Sequence, residues 1–415
     1  MRIPVDNGFD SSLSFLRDPY RFISRRCRAH RSDFFETRLL LERTICMTGP
    51  AATRLFYSTS HLIRQGAMPG RIRKTLLGEG GVQGLDGATH IHRKAMFMSM
   101  MTADRLQNLS EIVVAEWHAF AAAWEARRTI ILYEEVQKLL TRAAFAWVGL
   151  PLPEPIMARM TRDIVRLFDY AGSIGPKHWL SRAARARCDR GFAEIIRDIR
   201  SGNLRVPQSC AAQIVAGHRS IQGELLPPAV AAVELINVIR PIVAVSVYIV
   251  FLAHALHRQP DSRRRLDDQG GSYAELFVQE VRRLYPFFPA VSAYVRDEFE
   301  WEGFRFPKGR RVVLDLYGTN HDSRTWAAPD DFRPERFEQW DCAPYNFIPQ
   351  GGGDHYRNHR CPGEWITMEI MKVSLRFLTQ HLTYELPTQD LDIEFSRLPA
   401  LPKSRVTIQN VRRRP

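Results

Sequence analysis

The spacing of apolar residues predicts a mainly helical protein. Along most of the chain, apolar residues recur every three or four positions, as they do on the buried face of an amphipathic helix. The long helices predicted in this way cover approximately residues 112–125, 134–148, 155–171, 181–200, 228–257 and 273–284. The longest apolar run, 241–253, is too short to span a bilayer, so we expect a buried core helix there.

Alternating apolar and polar residues predict strands in two parts of the chain. The predicted strands are 35–41 and 43–48, which form a hairpin, and 293–299, 302–306 and 311–317, which form a small sheet. The segment 327–349 is rich in proline and aromatic residues and is expected to run over the surface. Because no repeat or flexible linker interrupts the chain, we expect one mainly α-helical domain with small β-sheets over residues 1–415.

Composition and charge restrict the possible functions. The chain has 415 residues, of which 45% are hydrophobic, so it can bury a large core. Its net charge is +13, but the basic residues in 182–190 and 263–265 lack interleaved aromatic residues. This pattern favours solvated helix faces over a nucleic-acid surface. The first residues contain no apolar segment of the kind found in signal peptides or membrane anchors, and we therefore expect a soluble, cytoplasmic protein.

The cysteines point to one candidate site. The six cysteines are scattered without any CxxC pair, which argues against a zinc ribbon or a disulfide framework. Cys361 lies in a glycine-rich loop, 347–365, and Pro362 is expected at the first position of a following helix. A helix start favours a thiolate, and a thiolate is an axial ligand for haem iron. From this loop alone, haem ligation and an inert buried cysteine are both possible.

Two further motifs precede this loop. Glu280 and Arg283 lie three residues apart on one helical face, and 332–337 contains Pro-Glu-Arg-Phe with Arg336. In this order and spacing, the three motifs resemble the cytochrome P450 family. The resemblance implies a P450 fold, a haem b cofactor with Cys361 as the axial ligand of the iron, and a buried ion network of Glu280, Arg283 and Arg336 that steadies the cysteine loop.

The central helix has an arginine and a proline in an otherwise apolar stretch, Arg240 and Pro241. The acid–alcohol pair that P450 monooxygenases usually carry in this helix is absent. Proline is expected to kink the helix. Arginine is rarely left unpaired in a protein interior, so Arg240 either forms a structural salt bridge or waits as a cation for an anionic ligand. A guanidinium binds a carboxylate through two parallel hydrogen bonds.

This arrangement resembles the peroxygenase branch of the P450s, the fatty-acid hydroxylases that use hydrogen peroxide. The similarity extends over 38–40, 45–49, 82–87, 90–94, 285–289 and 358–367. It implies hydroxylation of long-chain fatty acids at the α or β carbon, with the substrate carboxylate held by Arg240 and acting as general acid–base. Fatty acid and hydrogen peroxide would be the partners, and no dedicated redox partner would be needed.

The resemblance also suggests residues around the haem and the substrate. Gln83 is expected near the haem, where fatty-acid decarboxylases of this branch usually have histidine; glutamine cannot act as an acid, which favours hydroxylation over alkene formation. Leu77, Pro241 and Phe287 are candidate substrate contacts, although Leu77 and Phe287 could equally be ordinary core residues. The candidate partners of the haem propionates are His90, Lys94, Arg64 and His359.

Other functions remain as alternatives. The chain could be a fatty-acid decarboxylase that gives terminal alkenes, or a conventional P450 monooxygenase that receives electrons from a separate redox protein. It could also be a haem or lipid binder without catalytic activity. Nucleic-acid binding depends on the net charge alone and is not expected. Turnover with peroxide and fatty acid, without NAD(P)H, would distinguish these possibilities.

Overall fold

Helices dominate the computed structural model, which describes residues 3–58 and 60–414. The α-helices are α1 Ser12–Arg17, α2 Phe22–His30, α3 Pro50–Phe56, α4 Gly70–Ile72, α5 Gly87–Met98, α6 Ala103–Trp124, α7 Leu132–Trp147, α8 Glu154–Asp169, α9 Pro176–Ser201, α10 Ala211–Gly217, α11 Pro228–Ala244, α12 Ser246–Arg258, α13 Pro260–Gln269, α14 Gly271–Leu284, α15 Leu316–Asn320 and α16 Glu364–Arg376. Short 3₁₀ segments lie at Val82–Gly84 and Pro334–Phe337, and π-helical segments at Arg73–Leu77 and Phe377–His381. The six predicted helices fall within α6 to α9, α11 with α12, and α14, which confirms the predicted fold class.

Helices α11 and α12 form the centre of the molecule. Helix α11 packs against α7, α8, α9 and α10, and α12 packs against α7, α14 and α16. Together, Pro228–Arg258 are long and apolar enough to cross a membrane, but 94% of the apolar window is buried inside the protein. This agrees with the predicted core helix. The helix is interrupted at Val245, four residues after Pro241.

The strands form three sheets. They are β1 Phe34–Leu39, β2 Glu42–Met47, β3 Leu62–Ile63, β4 Thr129–Ile131, β5 Ala290–Val295, β6 Phe299–Trp301, β7 Phe304–Phe306, β8 Arg311–Asp315, β9 Leu382–Glu385 and β10 Thr407–Arg413. The largest sheet has the order β1-β2-β8-β5-β3, and β4-β10-β9 and β6-β7 form the others.

The predicted early hairpin is present as the antiparallel pair β1 and β2, but the prediction that the later strands form a separate sheet was wrong. Strand β2 of the hairpin pairs in parallel with β8, from Thr44 opposite Arg311 to Met47 opposite Leu314. The later strands separate, because β5 and β8 join the hairpin while β6 and β7 form a ribbon of their own. Pairing between segments this far apart depends on tertiary packing, which the local alternation of residues does not encode.

Two other expectations also need correction. The basic stretch 182–190 is not wholly a solvated face, since Arg185 of α9 is buried. The segment 327–349 has little regular structure, as expected, but it does not only cover the surface. Its residues Phe337 and Phe347 are buried and pack with Trp326 in a small aromatic core beside the cysteine loop.

Candidate active site

The loop 347–363 carries Cys361 to the start of α16. The backbone N–H of Cys361 donates to the carbonyl oxygen of Gln350 at 3.0 Å. Gly351 has a φ of +95°, and a Cβ atom there would lie 2.8 Å from the hydroxyl oxygen of Tyr57. The backbone conformation and the lack of space both require glycine at this position. The loop therefore folds back tightly and fixes the position of Cys361.

Helix α16 begins later than predicted. Pro362 does not occupy the first helical position, because α16 starts at Glu364 with Gly363 as the preceding cap residue. Burial raises the pKa of the Cys361 thiol above its usual value, and the backbone N–H of Gly363 and the ammonium of Lys94 only partly oppose this effect. The helix start alone therefore does not secure the predicted thiolate. A bound metal ion would, because it coordinates the deprotonated sulfur.

A buried ionic cluster that the sequence analysis missed lies next to Cys361. Glu364 accepts hydrogen bonds from Arg282, from Arg360 at 2.7 Å and from His355 at 2.9 Å. Burial alone would raise the pKa of Glu364, but these three partners lower it well below its usual range. In the sequence, the one indication of this cluster was Arg282, which directly precedes Arg283.

Gln350 connects this cluster to the cysteine. Its Oε1 accepts from Nη2 of Arg282 at 3.0 Å, and its Nε2 donates to the hydroxyl of Thr367 at 3.0 Å. The same Nε2 lies 3.8 Å from the sulfur of Cys361. A donor at this distance stabilises negative charge on the sulfur. This side chain was also missed by the sequence analysis.

The three residues of the predicted ion network lie together. Arg283 donates through Nε and Nη2 to the two carboxylate oxygens of Glu280, both at 2.8 Å, and Nε of Arg336 donates to Glu280 at 3.2 Å. Nη1 of Arg283 donates to the carbonyl oxygens of Asn320 and Pro329. Glu280 and Arg283 are completely buried, and their charges are paired and hydrogen-bonded. A buried ion pair is tolerated under these conditions.

Arg240 is buried in α11 with few partners. Its Nη2 donates to Oδ1 of Asn237 at 3.1 Å, whereas its Nε is buried without any hydrogen-bond partner. Within residues 3–58 and 60–414, Arg240 forms no salt bridge, so the structural salt bridge considered above is absent there. Burial and the nearby guanidinium of Arg185 lower the pKa of Arg240 to about 9, while Cys361 has the opposite effect.

A polar network connects Arg240 with Gln83. Nδ2 of Asn237 donates to Oε1 of Gln83 at 3.2 Å and to Oε2 of Glu234 at 3.0 Å. Glu234 also pairs with Nη1 of Arg93 at 2.7 Å. Gln83 and Arg240 were predicted from the sequence as site residues, whereas Glu234, Asn237 and Arg93 were not. The signal was present, because residues three apart in the helix share one face.

The four candidate propionate partners form one basic cluster. The rings of His90 and His359 stack with centroids 3.7 Å apart, and Lys94 donates to two carbonyl oxygens of loop 347–363. Arg64 donates to a carbonyl oxygen of β5. Burial and the neighbouring cations lower the pKa of His90 to about 4. In the part of the chain that the structure describes, neither Arg64 nor Lys94 forms a salt bridge.

The remaining candidates lie around α11 and α12. Pro241 follows Arg240 and is half-buried. Leu77 ends a π-helical segment and packs against the main core. The ring of Phe287 stacks on Tyr248 of α12 at 4.5 Å between centroids. All three are partly buried, which is compatible with either a substrate contact or an ordinary packing role.

These residues fit a haem. Cys361 offers a buried sulfur, to which Nε2 of Gln350 donates at 3.8 Å. The basic cluster formed by His90, Lys94, Arg64 and His359 lacks a carboxylate partner among the described residues, and would match two propionate groups. Without a cofactor, the buried sulfur and the buried basic cluster both lower the stability of the protein, because burial disfavours the charged forms of these groups. Each becomes favourable when an anionic porphyrin with a metal ion is bound.

Comparisons with known sequences identify the family. The cytochrome P450 family model matches residues 269–409. Cytochrome P450 3A15 of Cavia porcellus is 34% identical over 115 residues, which is 27% of this chain and 22% of the relative. The alignments with the first four curated relatives span only 22 to 26% of their length. Cytochrome P450 716A75 of Maesa lanceolata is 23% identical over 92% of this chain and 83% of its own.

Solved structures match the whole chain. A variant of cytochrome P450SP alpha (CYP152B1) is 53% identical, with a TM-score of 0.96 over 98% of this chain and 100% of its own. Cytochrome P450EX alpha (CYP152N1) with myristic acid is 42% identical, with a TM-score of 0.96 over 99% of both chains. A variant of OleT in complex with arachidonic acid is 34% identical, with a TM-score of 0.96 over 100% of this chain and 99% of its own. The chain therefore belongs to the cytochrome P450 family, in agreement with the family predicted from its sequence, and it is similar over nearly its whole length to the CYP152B1 and CYP152N1 structures.

Proposed function

We propose that this protein is a haem-thiolate peroxygenase that hydroxylates long-chain fatty acids at the α or β carbon with hydrogen peroxide. The observation that carries the proposal is Arg240, a buried guanidinium in the central helix with an unpartnered Nε. A cation in this condition favours an anionic ligand strongly, because the ligand satisfies its donors and neutralises its charge at once.

A fatty acid is the anion that suits this position. The carboxylate can form two parallel hydrogen bonds with Arg240, and the alkyl chain can lie among apolar side chains such as Leu77 and Phe287. Two similar structures, of P450EX alpha and of an OleT variant, are complexes with myristic acid and arachidonic acid. By analogy, we propose the same class of ligand here. A carboxylate fixed at one point holds the first carbons of its chain in one place, which favours oxidation at the α or β position.

Family membership implies the predicted cofactor, a haem whose iron is ligated by a cysteine thiolate, and we assign this role to Cys361. When bound, the haem supplies cleavage of the peroxide O–O bond and transfer of one oxygen atom to carbon, with electron donation from the thiolate favouring the cleavage. Gln350 and the Glu364 cluster hold Cys361 in position. Overall, fatty acid and hydrogen peroxide give hydroxy acid and water.

For one oxygen of hydrogen peroxide to leave as water, a proton must move to it from the other peroxide oxygen. A general acid–base must lie within hydrogen-bonding distance of both. We assign this role to the substrate carboxylate that Arg240 holds, since the acid–alcohol pair of the monooxygenases is absent. Gln83 is joined to Arg240 through Asn237 and cannot donate an ionisable proton. This favours hydroxylation as the main outcome and alkene as a minor product.

The proposed reaction also has consequences for redox partners and localisation. Because the substrate carboxylate supplies the acid–base group and peroxide supplies both oxygen and oxidising equivalents, no dedicated redox partner is required. We also propose a soluble, cytoplasmic, single-domain enzyme, since 94% of the apolar window in Pro228–Arg258, the membrane-length helix found among the described residues, is buried inside the protein.

The test is turnover of a fatty-acid panel with purified haem-loaded protein and hydrogen peroxide, without NAD(P)H. We expect 2-hydroxy and 3-hydroxy acids to be the main products, with little terminal alkene. Predominant alkene would instead assign the protein as a decarboxylase. Product formed only when NAD(P)H and a redox protein are added would identify a conventional monooxygenase, and no product under either condition would favour a lipid-binding role.

A further inference from the structure

Glu234 is a buried carboxylate in the same helix as Arg240. It is completely buried, and it lies three residues before Asn237, which lies three residues before Arg240. Residues at this spacing are neighbours on one helical face. Burial raises the pKa of Glu234 above its usual value, and Asn237 and the guanidinium of Arg93 oppose this effect only in part. The 2.7 Å contact with Arg93 supplies the counter-ion that a carboxylate needs in the protein interior.

Asn237 lies between Glu234 and Arg240, and this position fixes the orientation of its amide. An ionised carboxylate only accepts hydrogen bonds, and a guanidinium only donates them. Asn237 can therefore satisfy both neighbours in one orientation alone, with Nδ2 toward Glu234 and Oδ1 toward Arg240. The structure has this arrangement, with distances of 3.0 Å and 3.1 Å.

The orientation of Asn237 in turn fixes that of Gln83. The second N–H of Asn237 Nδ2 donates to Gln83 at 3.2 Å, so the atom of Gln83 that faces Asn237 must be its acceptor, Oε1. The two N–H groups of Gln83 Nε2 then point away from Asn237. Among the side chains and backbone groups that the structure describes, none accepts from Nε2, so these donors remain free for a ligand.

We propose that Glu234 is a positioning residue that leaves only hydrogen-bond donors of Gln83 and Arg240 free, so that the two side chains form a donor-only surface. Acting through Asn237, it turns the N–H groups of Gln83 toward the ligand and holds the guanidinium of Arg240 by Nη2. The inference depends on the proposed function, because it assumes that this surface lies over the haem. A donor-only surface favours a ligand group that only accepts, such as a carboxylate, and disfavours amides and amines with the same alkyl chain, whose N–H groups find no acceptor.

The test is the C–O stretching frequency of the ferrous carbon-monoxide complex, which a nearby hydrogen-bond donor lowers and a nearby lone pair raises. Glu234→Gln replaces the carboxylate, which only accepts hydrogen bonds, by an amide that can also donate. The side-chain amides of Asn237 and Gln83 can then rotate by half a turn and exchange their N–H groups with their oxygens. We expect the stretching band to move to higher frequency or to split in two. Gln83→Leu should raise the frequency in the wild-type background and change it much less in the Glu234→Gln background, because the two residues act through one network.

A second readout is the fatty-acid dissociation constant, taken from the change in haem absorbance on titration. It should rise about tenfold in Glu234→Gln, which is near the lower end of the effect of one hydrogen bond to a charged group that is no longer held in place. The matched control is Glu135→Gln in α7, which removes another buried, ion-paired carboxylate outside this network. The control should leave the band and the dissociation constant unchanged.

Glu234→Gln leaves Arg93 as a buried charge without a partner, which destabilises the variant. A double variant that removes both buried charges is therefore measured beside it, Glu234→Gln with Arg93→Gln. A wild-type band in either folded, haem-loaded variant overturns the inference, as does an equal effect of Gln83→Leu in both backgrounds. The carbon-monoxide experiment does not need turnover. An inactive wild-type protein would therefore refute the proposed function while leaving this inference open to its own test.

Discussion

Arg283 and Arg240 are both buried arginines in helices of the core, but their surroundings differ. Arg283 has hydrogen bonds from Nε, Nη1 and Nη2, to the carboxylate of Glu280 and to backbone carbonyl oxygens. Among the described residues, Arg240 has one hydrogen bond, to the neutral amide of Asn237, and its Nε has no partner. The protein thus satisfies the hydrogen-bond donors of the Arg283 guanidinium, whereas the Arg240 guanidinium keeps donors free.

This difference separates a structural from a functional arginine. A buried charge that is paired and hydrogen-bonded holds segments together, and here it joins α14 to the segment before the cysteine loop. A buried charge without a counter-ion lowers stability unless a ligand supplies one. We therefore expect substitutions at the Arg283 network to affect stability first, and substitutions at Arg240 to affect ligand binding first.

The largest expected effect is that of Glu280→Gln on stability. It leaves Arg283 and Arg336 without their shared carboxylate, and breaking a buried ion pair in this way costs about 3–5 kcal/mol. The measurement is urea unfolding of the haem-loaded protein. Glu298→Gln, which removes an exposed partner of Arg305, should cost less than about 1 kcal/mol. Equal effects of the two substitutions would contradict the structural role assigned to the network.

Arg240→Leu should have a smaller effect on stability but weaken fatty-acid binding about 100-fold, close to 3 kcal/mol, because the charged hydrogen bonds to the carboxylate are lost. Arg240→Lys should lie between this variant and the wild type, since it keeps the charge without the two-pronged geometry. Titration of the haem absorbance with fatty acid gives the dissociation constants. Unchanged affinity in Arg240→Leu would remove the basis for the assigned role.

The pKa of Arg240 predicts how binding depends on pH. Burial and Arg185 lower this pKa to about 9, and only the protonated guanidinium attracts a carboxylate. Affinity should be constant between about pH 7 and pH 8.5 and fall up to tenfold for each further pH unit above about 9. The fatty acid stays ionised throughout, so the change reports on the protein. Arg240→Leu should show no such dependence over the same range.

The smallest effect is expected at Arg185, the neighbour that helps to lower the pKa of Arg240. Arg185→Gln removes a like charge, so the pKa of Arg240 should rise and the loss of fatty-acid affinity should begin at higher pH. The same titrations, repeated on this variant, measure how far the pH at which affinity begins to fall has moved. A profile displaced to lower pH would show that the two guanidiniums do not interact as described.

Much of the fold and part of the site could be predicted from the sequence. The six long helices followed from apolar spacing. The resemblance to the P450 family singled out Cys361, Arg240 and the Glu280 network, and the roles assigned to these residues stay predictions. The pairing of β2 with β8, the later start of α16 and the burial of Arg185 could not be predicted, because each depends on contacts between distant segments. Glu234, Asn237 and Gln350 were missed because single polar residues in a helix or loop have no distinctive local pattern.

The most direct test of the central claim compares one fatty acid with the alcohol of the same chain length, each incubated with haem-loaded protein and hydrogen peroxide. If Arg240 holds a carboxylate that also acts as general acid–base, only the acid should be oxidised rapidly, and the alcohol should react at least about 100-fold more slowly, as expected for loss of a positioned acid–base group. Rapid oxidation of the alcohol, at a rate close to that of the acid, would contradict the account.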